Sequence, residues 1–264
     1  MNPPAGPAVI RAHAKLTRTL KMTGLRDDGY HLIDAEMVSL DLHDLVTIEP
    51  GGTGITVTGP YAAGVPTDAT NLVHGALELV GAAAHVTIDK RIPHGGGLGG
   101  GSTNAAAVLH WGGFGTTAAD LVTASRLGAD VSFCLVGGRA RVTGIGEVVT
   151  PLPHVDRAIT LVIPPLGVST PAAYRAWDEL GGPTVDGPND LEPAALAVEP
   201  QMRAWRDRIE ACLGEPPVLA GSGATWFSER VFESDHERDN ALGELVDEGA
   251  QIVVTRTTGS PFDI

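Results

Sequence analysis

Pro93-His94-Gly95-Gly96-Gly97-Leu98-Gly99-Gly100-Gly101-Ser102-Thr103-Asn104-Ala105-Ala106 is the stretch on which the reading of this chain turns. Six glycines fill the seven positions from Gly95 to Gly101, a density that costs chain entropy. It is explained by left-handed backbone or by a ligand approaching the main chain closely. Ser102, Thr103 and Asn104 stand where a helix N-cap belongs, and Ala105 to Leu109 propagate a helix placed near residues 102–110. Free N–H groups and the positive end of the helix dipole together make an anion site, so the segment reads as a phosphate cradle. A Walker A loop is excluded because no lysine follows the glycines. Gly95, Gly97 and Gly100 fit a dinucleotide fingerprint, with Asp120 20 residues beyond. That aspartate falls inside a helical segment at 118–127 and not at the end of a strand, which sets the dinucleotide reading aside.

Working outward, residues 8–23 read as a strand with Lys15, Thr17, Thr19 and Lys21 on one face and Ala14, Leu16, Arg18, Leu20 and Met22 on the other. Residues 30–42 read as the next strand after a charged turn. Residues 46–48 and 55–57 read as short paired strands around Gly51-Gly52. Residues 71–84 are apolar at helical spacing and 86–89 extended, while 131–135 and 139–143 read as extended pieces separated by Gly137-Gly138. Beyond a boundary placed near residue 150, helices at 170–180 and 191–213 flank a Gly/Pro linker. Short strands at 161–163, 218–219, 226–227 and 252–255 and a helix near 240–247 complete a small second unit. Strands and helices in this mixed order indicate the α+β class and two units, 1–150 and 151–264.

The composition limits the partners. With 32 acidic against 18 basic residues the formal net charge is −14, which argues against binding nucleic acid. The acidic residues around 229–248 read as a solvated face. Cys134 and Cys212 match no metal or redox spacing and read as buried thiols. The Pro-rich start has neither the basic nor the apolar region of a signal peptide, and no apolar run suits a membrane span, so a cytoplasmic protein is expected.

The glycine-rich stretch resembles the second motif of the GHMP kinases, P-x-G-x-G-L-x-x-S-S. Ala14-Lys15, Gly29-Tyr30-His31, Leu127-Gly128-Ala129-Asp130-Val131, Gly137-Gly138, Gly144-Ile145-Gly146-Glu147, Asn189-Asp190-Leu191-Glu192 and Gly221-Ser222-Gly223-Ala224-Thr225 fall in the family's order. Together they resemble the 4-diphosphocytidyl-2-C-methyl-D-erythritol kinases, from about Arg11 to Phe227. The resemblance implies a two-domain GHMP kinase fold with the active site in the cleft between domains. It also implies ATP and Mg²⁺ as cofactors, and a small-molecule alcohol, CDP-methylerythritol or a relative, as substrate in isoprenoid biosynthesis. A monomer or homodimer is expected.

Carried over by position, Lys15 and Asp130 match the catalytic pair, and the chemistry agrees. An alcohol must lose its proton as the new bond to phosphorus forms, which a carboxylate can accept and a neighbouring ammonium can support. Gly95, Gly96, Gly97, Leu98, Gly99, Gly100, Gly101, Ser102 and Thr103 are the expected ATP site, with Ser102 open to a phosphate, metal or capping role. Tyr30 and His31 match residues that grip cytosine, and Tyr174 a second aromatic against the base or a helix-packing tyrosine. Gly221 and Ser222 belong to the third motif of the class. Thr17 stands where the family carries an asparagine, and Arg18 places a charge on an apolar face, where an unpaired guanidinium is costly. Two rivals follow: another GHMP kinase acting on a sugar or mevalonate-like alcohol, and a nucleotide binder that has lost catalysis.

Overall fold

A computed structural model describes residues 6–263. The first five residues of the Pro-rich start, where no signal peptide was read, lie outside it. Two long strands form the frame: β1 (Ala8–Leu25) and β2 (His31–Pro50), antiparallel from Ala8↔Ile48 to Leu25↔His31. One edge of β2 is covered by β1. The other is divided among β5 (Arg139–Gly144), the end of β10 (Gln251–Thr258) and β4 (Ala84–Asp89). β3 (Ile55–Thr58) runs parallel to the outer side of β4, β6 (Val148–Leu152) borders β5, and β11 (Phe262–Asp263) borders β1.

Helices α1 (Leu72–Val80), α2 (Gly100–Trp111), α3 (Ala118–Ala124) and α4 (Val131–Val136) belong to this first part. The second sheet is the antiparallel order β10, β7 (Ala158–Ile163), β9 (Trp226–Ser228), β8 (Val218–Leu219). It carries α5 (Thr170–Glu179), α6 (Glu192–Val198), α7 (Gln201–Leu213) and α8 (Asp235–Asp247). Strand β10 joins the two sheets, and β11 returns the chain to the first.

Three expectations are corrected. Residues 131–135 form helix α4 and not a strand, because an apolar run of this length fits either state and packing against α2 decides it. Residues 46–48 are the end of β2, and 55–57 do not pair with them; β4 lies between. Helix α2 begins at Gly100, with Gly99 at φ 70° as its N-cap and no side chain capping it. Ser102 and Thr103 therefore sit in its first turn and Asn104 just beyond it.

The simple alternation along β1 also fails, for a reason visible in its register. Irregularities fall between His13 and Lys15 and between Thr17 and Thr19. Each shift swaps the faces. Ile10, Ala12, Leu20 and Met22 pack into the first core, whereas Ala14 and Leu16 pack into another with Leu98, Leu161 and Ala220. Arg18 occupies the second irregularity, and its guanidinium pairs with Glu36 and Glu229. Arg139 holds Glu36 at 2.8 Å and Arg157 holds Glu229. The charge that looked costly is thus one link in a five-residue ionic chain between the sheets. Glu229 is correspondingly not part of the solvated acidic face.

Arg18→Ala leaves both glutamates one arginine each, whereas Glu229→Ala leaves Arg157 without this partner and cuts Arg18 back to Glu36. Urea unfolding is expected to show losses of about 1–2 kcal/mol for the first and about 2–3 for the second, between surface and buried pairs. Equal losses would break the proposed chain of dependence.

Candidate active site

Lys15 is 5% exposed on β1, and its Nζ lies 3.1 Å from Asp130 Oδ2. It also donates to Thr17 Oγ1 at 3.2 Å. Thr17, in the place of an asparagine, therefore still offers the ammonium an oxygen. Asp130 is the N-cap residue of α4 and reaches Lys15 from the turn that follows Gly128. Its carboxylate is about a third exposed, so it faces both the lysine and the open cavity.

The glycine-rich loop closes one side. Lys15 N donates to Leu98 O at 3.0 Å, while the Leu98 side chain is buried in the core, so Leu98 anchors the loop. Gly99 is compulsory here: its φ is 70° and a Cβ would come within 2.5 Å of Lys15 Cγ. A Cβ on Gly97 would meet Ala220 O and Gly223 O at 3.0 Å, so the loop rests on the second glycine loop. Asn189 holds that second loop by donating to Leu219 O at 2.9 Å and Gly221 O at 2.7 Å. A function for Asn189 was missed in the sequence, although its motif was visible.

A cavity of 160 Å³ opens between these parts. Lys15, Thr17, Asp130, Gly97, Gly221, Ser222 and Tyr174 line it, with Leu20, Ile33 and Met37 as an apolar wall. Residues 6–150 and 151–263 both contribute, so it is a cleft. Ser222 is fixed by a 2.7 Å hydrogen bond with Thr170, and burial pushes the Tyr174 hydroxyl up to about 12, keeping it neutral.

His31 stacks obliquely against Tyr174 with ring centroids 4.9 Å apart, and Trp177 meets its edge at 5.6 Å. Its Nε2 lies 2.8 Å from Asp178 Oδ1. Trp177 and Asp178 were not found from sequence; their positions three and four residues after Tyr174, one turn along α5, were the available signal. Tyr30 is exposed beneath Arg26, 5.4 Å from its guanidinium carbon, and the structure does not bring it to Tyr174.

On the far side of the glycine loop a cavity of 190 Å³ is lined by Val65, Pro66, Asn71, Leu72, Lys90, Gly101 and Asn104. Lys90 is buried against Asp44, and burial lowers its amine from the usual lysine range despite that partner. Asp44 also accepts from Arg91 N at 2.7 Å, Ile92 N at 2.8 Å and Asn104 Nδ2 at 2.9 Å. This network fixes the strand entering the loop to the helix leaving it. Gly96 is buried, Gly95 and Gly101 exposed, and Gly100 packs on Lys90. Thr103 is fully buried and its N–H bonds Gly99 O at 2.9 Å, so it does not reach the open side of the loop. Ser102 stays on that side, its Oγ 3.7 Å from where a Cβ on Gly128 would lie. Larger grooves of 530 and 580 Å³ along α8 and α6 bring no such acid–base pair together.

An uncapped helix start behind a glycine loop, a buried lysine on a carboxylate and a cleft between two sheets are the parts that a small-molecule kinase needs. Residues 71–138 match the GHMP kinases N terminal domain family. The chain is 37% identical to the 4-diphosphocytidyl-2-C-methyl-D-erythritol kinase of Paracoccus denitrificans (strain Pd 1222), over 89% of this chain and 90% of that one. It is 42% identical to the kinase of the same name from Clostridium botulinum (strain Alaska E43 / Type E3), over 94% and 99%. A crystal structure of 4-(cytidine 5'-diphospho)-2C-methyl-D-erythritol kinase superposes with a TM-score of 0.73 at 30% identity, covering 96% of this chain and 100% of that one. The chain belongs to the 4-diphosphocytidyl-2-C-methyl-D-erythritol kinase family. Among the described residues no helix is long and apolar enough to cross a membrane.

Proposed function

We propose that this kinase transfers the γ-phosphoryl group of ATP to the 2-hydroxyl of 4-diphosphocytidyl-2-C-methyl-D-erythritol, in isoprenoid biosynthesis. The observation that carries the reading is the 3.1 Å contact between Lys15 and Asp130 at the floor of a cleft lined by the glycine loop. Asp130 accepts the hydroxyl proton as the alcohol oxygen attacks, and Lys15 steadies the negative charge that develops there. Thr17 Oγ1 accepts from the same ammonium. The units 1–150 and 151–264 act as the two walls of the cleft.

The triphosphate lies along residues 95–101, with backbone N–H groups of the first turn of α2 donating to it. The apolar cavity beside Val65, Pro66 and Leu72 suits the purine, which places the two cavities at opposite ends of one phosphate run. The residues present fit Mg²⁺ as well. Ser102 supplies a hydroxyl oxygen between the loop and the turn leading to Asp130, the hard ligand such an ion takes beside phosphates. When bound, the ion neutralises phosphate charge. Gly221 and Ser222 close the substrate side, and His31 with Tyr174 reads the base, with the exposed Tyr30 beside His31 in sequence as a further candidate.

The loop assignment is tested at Gly101, because Gly99→Val would displace Lys15 as well. A Cβ on Gly101 meets only Leu72, at 4.0 Å, so valine is accommodated by the fold while projecting beside the proposed purine cavity. Gly101→Val is expected to weaken ATP binding by about tenfold or more, equivalent to about 1.4 kcal/mol. Calorimetric titration of a folded variant with unchanged ATP affinity would remove the loop from the nucleotide site.

A further inference from the structure

We propose that His13, Asp41 and His43, with Asp263 bordering them at His13, form a binding site for one divalent transition-metal ion of the zinc type, separate from any ion carried by the nucleotide. His13 and His43 are direct cross-strand partners on β1 and β2, and their rings meet edge to face with centroids 5.4 Å apart. The register shift beyond this pair brings in Asp41, and one ligand atom from each of His13, Asp41 and His43 falls within 4.8 Å of the others. Strand β11 brings Asp263 to His13 from the opposite edge of β1, beside that group of three and outside its 4.8 Å span, with an exposed side chain free to turn toward an ion.

The hydrogen bonds fix which ring atoms are available. His13 Nδ1 lies 2.9 Å from Leu40 O, and His43 Nδ1 lies 2.6 Å from Asp41 O. A backbone carbonyl only accepts, so each Nδ1 carries the hydrogen and each Nε2 is left with its lone pair. A backbone carbonyl on the other ring nitrogen is how a metal-ligating histidine is held. The second indication is His13 Nε2, which faces Asp263 Oδ2 at 3.0 Å. Both atoms are electron-pair donors, and only a cation between them, a proton or a metal, makes that approach attractive. Zinc–ligand bonds of about 2.0–2.1 Å at a tetrahedral angle separate two ligand atoms by about 3.3 Å, close to the distance found.

The ligand chemistry selects the ion. Two imidazoles and carboxylates suit Zn²⁺, Co²⁺ or Ni²⁺, whereas Mg²⁺ takes oxygen in an octahedron. His13 is 2% exposed while Asp41 and Asp263 are open to solvent, so the site has a rigid inner ligand and an entrance. An ion here ties the C-terminal strand to β1 two residues before Lys15.

Tag-free, chelator-treated protein titrated with Co²⁺ is expected to develop the visible bands of tetrahedral cobalt at one equivalent, bleached by Zn²⁺. Zn²⁺ is expected to raise the thermal midpoint, as a ligand of the native state does. His43→Ala and Asp263→Asn alter side chains that are not buried, so the fold is retained, and each is expected to weaken binding about 100-fold or more. Zn²⁺ bound equally well by both variants would place it on other histidines and overturn the site. So would a wild-type protein that shows neither cobalt bands nor a thermal shift at millimolar ion, leaving a proton between His13 and Asp263.

Discussion

Asp130→Asn is expected to lower kcat by about 10²–10⁴-fold while leaving the affinity for ATP at the wild-type value. An amide occupies the same space but cannot accept the hydroxyl proton. ATP affinity is spared if the phosphates lie along the glycine loop, as proposed, and not on the Asp130 carboxylate. Lys15→Met is expected to be similarly severe. The side chain lies under the glycine loop, where a Cβ on Gly99 would touch its Cγ, so methionine preserves the packing while removing the charge.

The informative variant is the double one. Lys15 and Asp130 touch at 3.1 Å, so each depends on the other for its orientation. Removing both is expected to cost much less than the product of the single losses, as for groups that act as a unit. Steady-state kinetics on wild type and the three variants checks this. Multiplicative losses would dissolve the pair into two independent residues. Wild-type turnover no faster than Asp130→Asn with every alcohol tried would leave a nucleotide binder, the rival that the altered Thr17 and Arg18 suggest.

How much of this was legible in the sequence depended on whether the signal was local. The glycine loop, Lys15 and Asp130 each sit in short motifs, and the structure brings all three to one cavity. The loop's helix was placed two residues late because Ser102 looked like a cap. In fact Gly99, in the left-handed region, turns the chain without one. Helix α4 was misread since a six-residue, mostly apolar stretch carries no period of its own, and its state is set by α2. The partners of Arg18 lie 18 and 211 residues away, beyond any reading of spacing. The faces of β1 could not be assigned because its register shifts depend on β2. Asp178 is the instructive omission. It adjoins Trp177 on the same helix as Tyr174, yet its meaning depends wholly on His31, 147 residues away.

That contact yields the second large prediction, on base selection. Asp178 accepts from His31 Nε2, so a neutral His31 ring has its lone pair on Nδ1. On the proposed reading, a lone pair there would accept from the exocyclic amine of cytosine and repel the carbonyl that uracil presents at the same position. Tyr174, 4.9 Å from the ring and with a hydroxyl kept neutral by burial, would supply the stacking face. CDP-methylerythritol is therefore expected to be preferred over its uridine analogue by up to about 10⁴ in kcat/KM, since the wrong edge leaves buried polar groups unpaired. Equal kcat/KM for the two would refute base readout and promote a GHMP kinase acting on a simpler alcohol. Asp178→Asn separates the tautomer from the mere presence of the ring. Its amide can donate to Nε2, which moves the hydrogen to Nδ1 and turns an acceptor into a donor that suits uracil. The preference for cytosine is expected to collapse in this variant while kcat with saturating substrate changes far less than in Asp130→Asn. Full discrimination retained by Asp178→Asn would show that the base is read elsewhere, with Tyr30, the sequence neighbour of His31, the next side chain to replace.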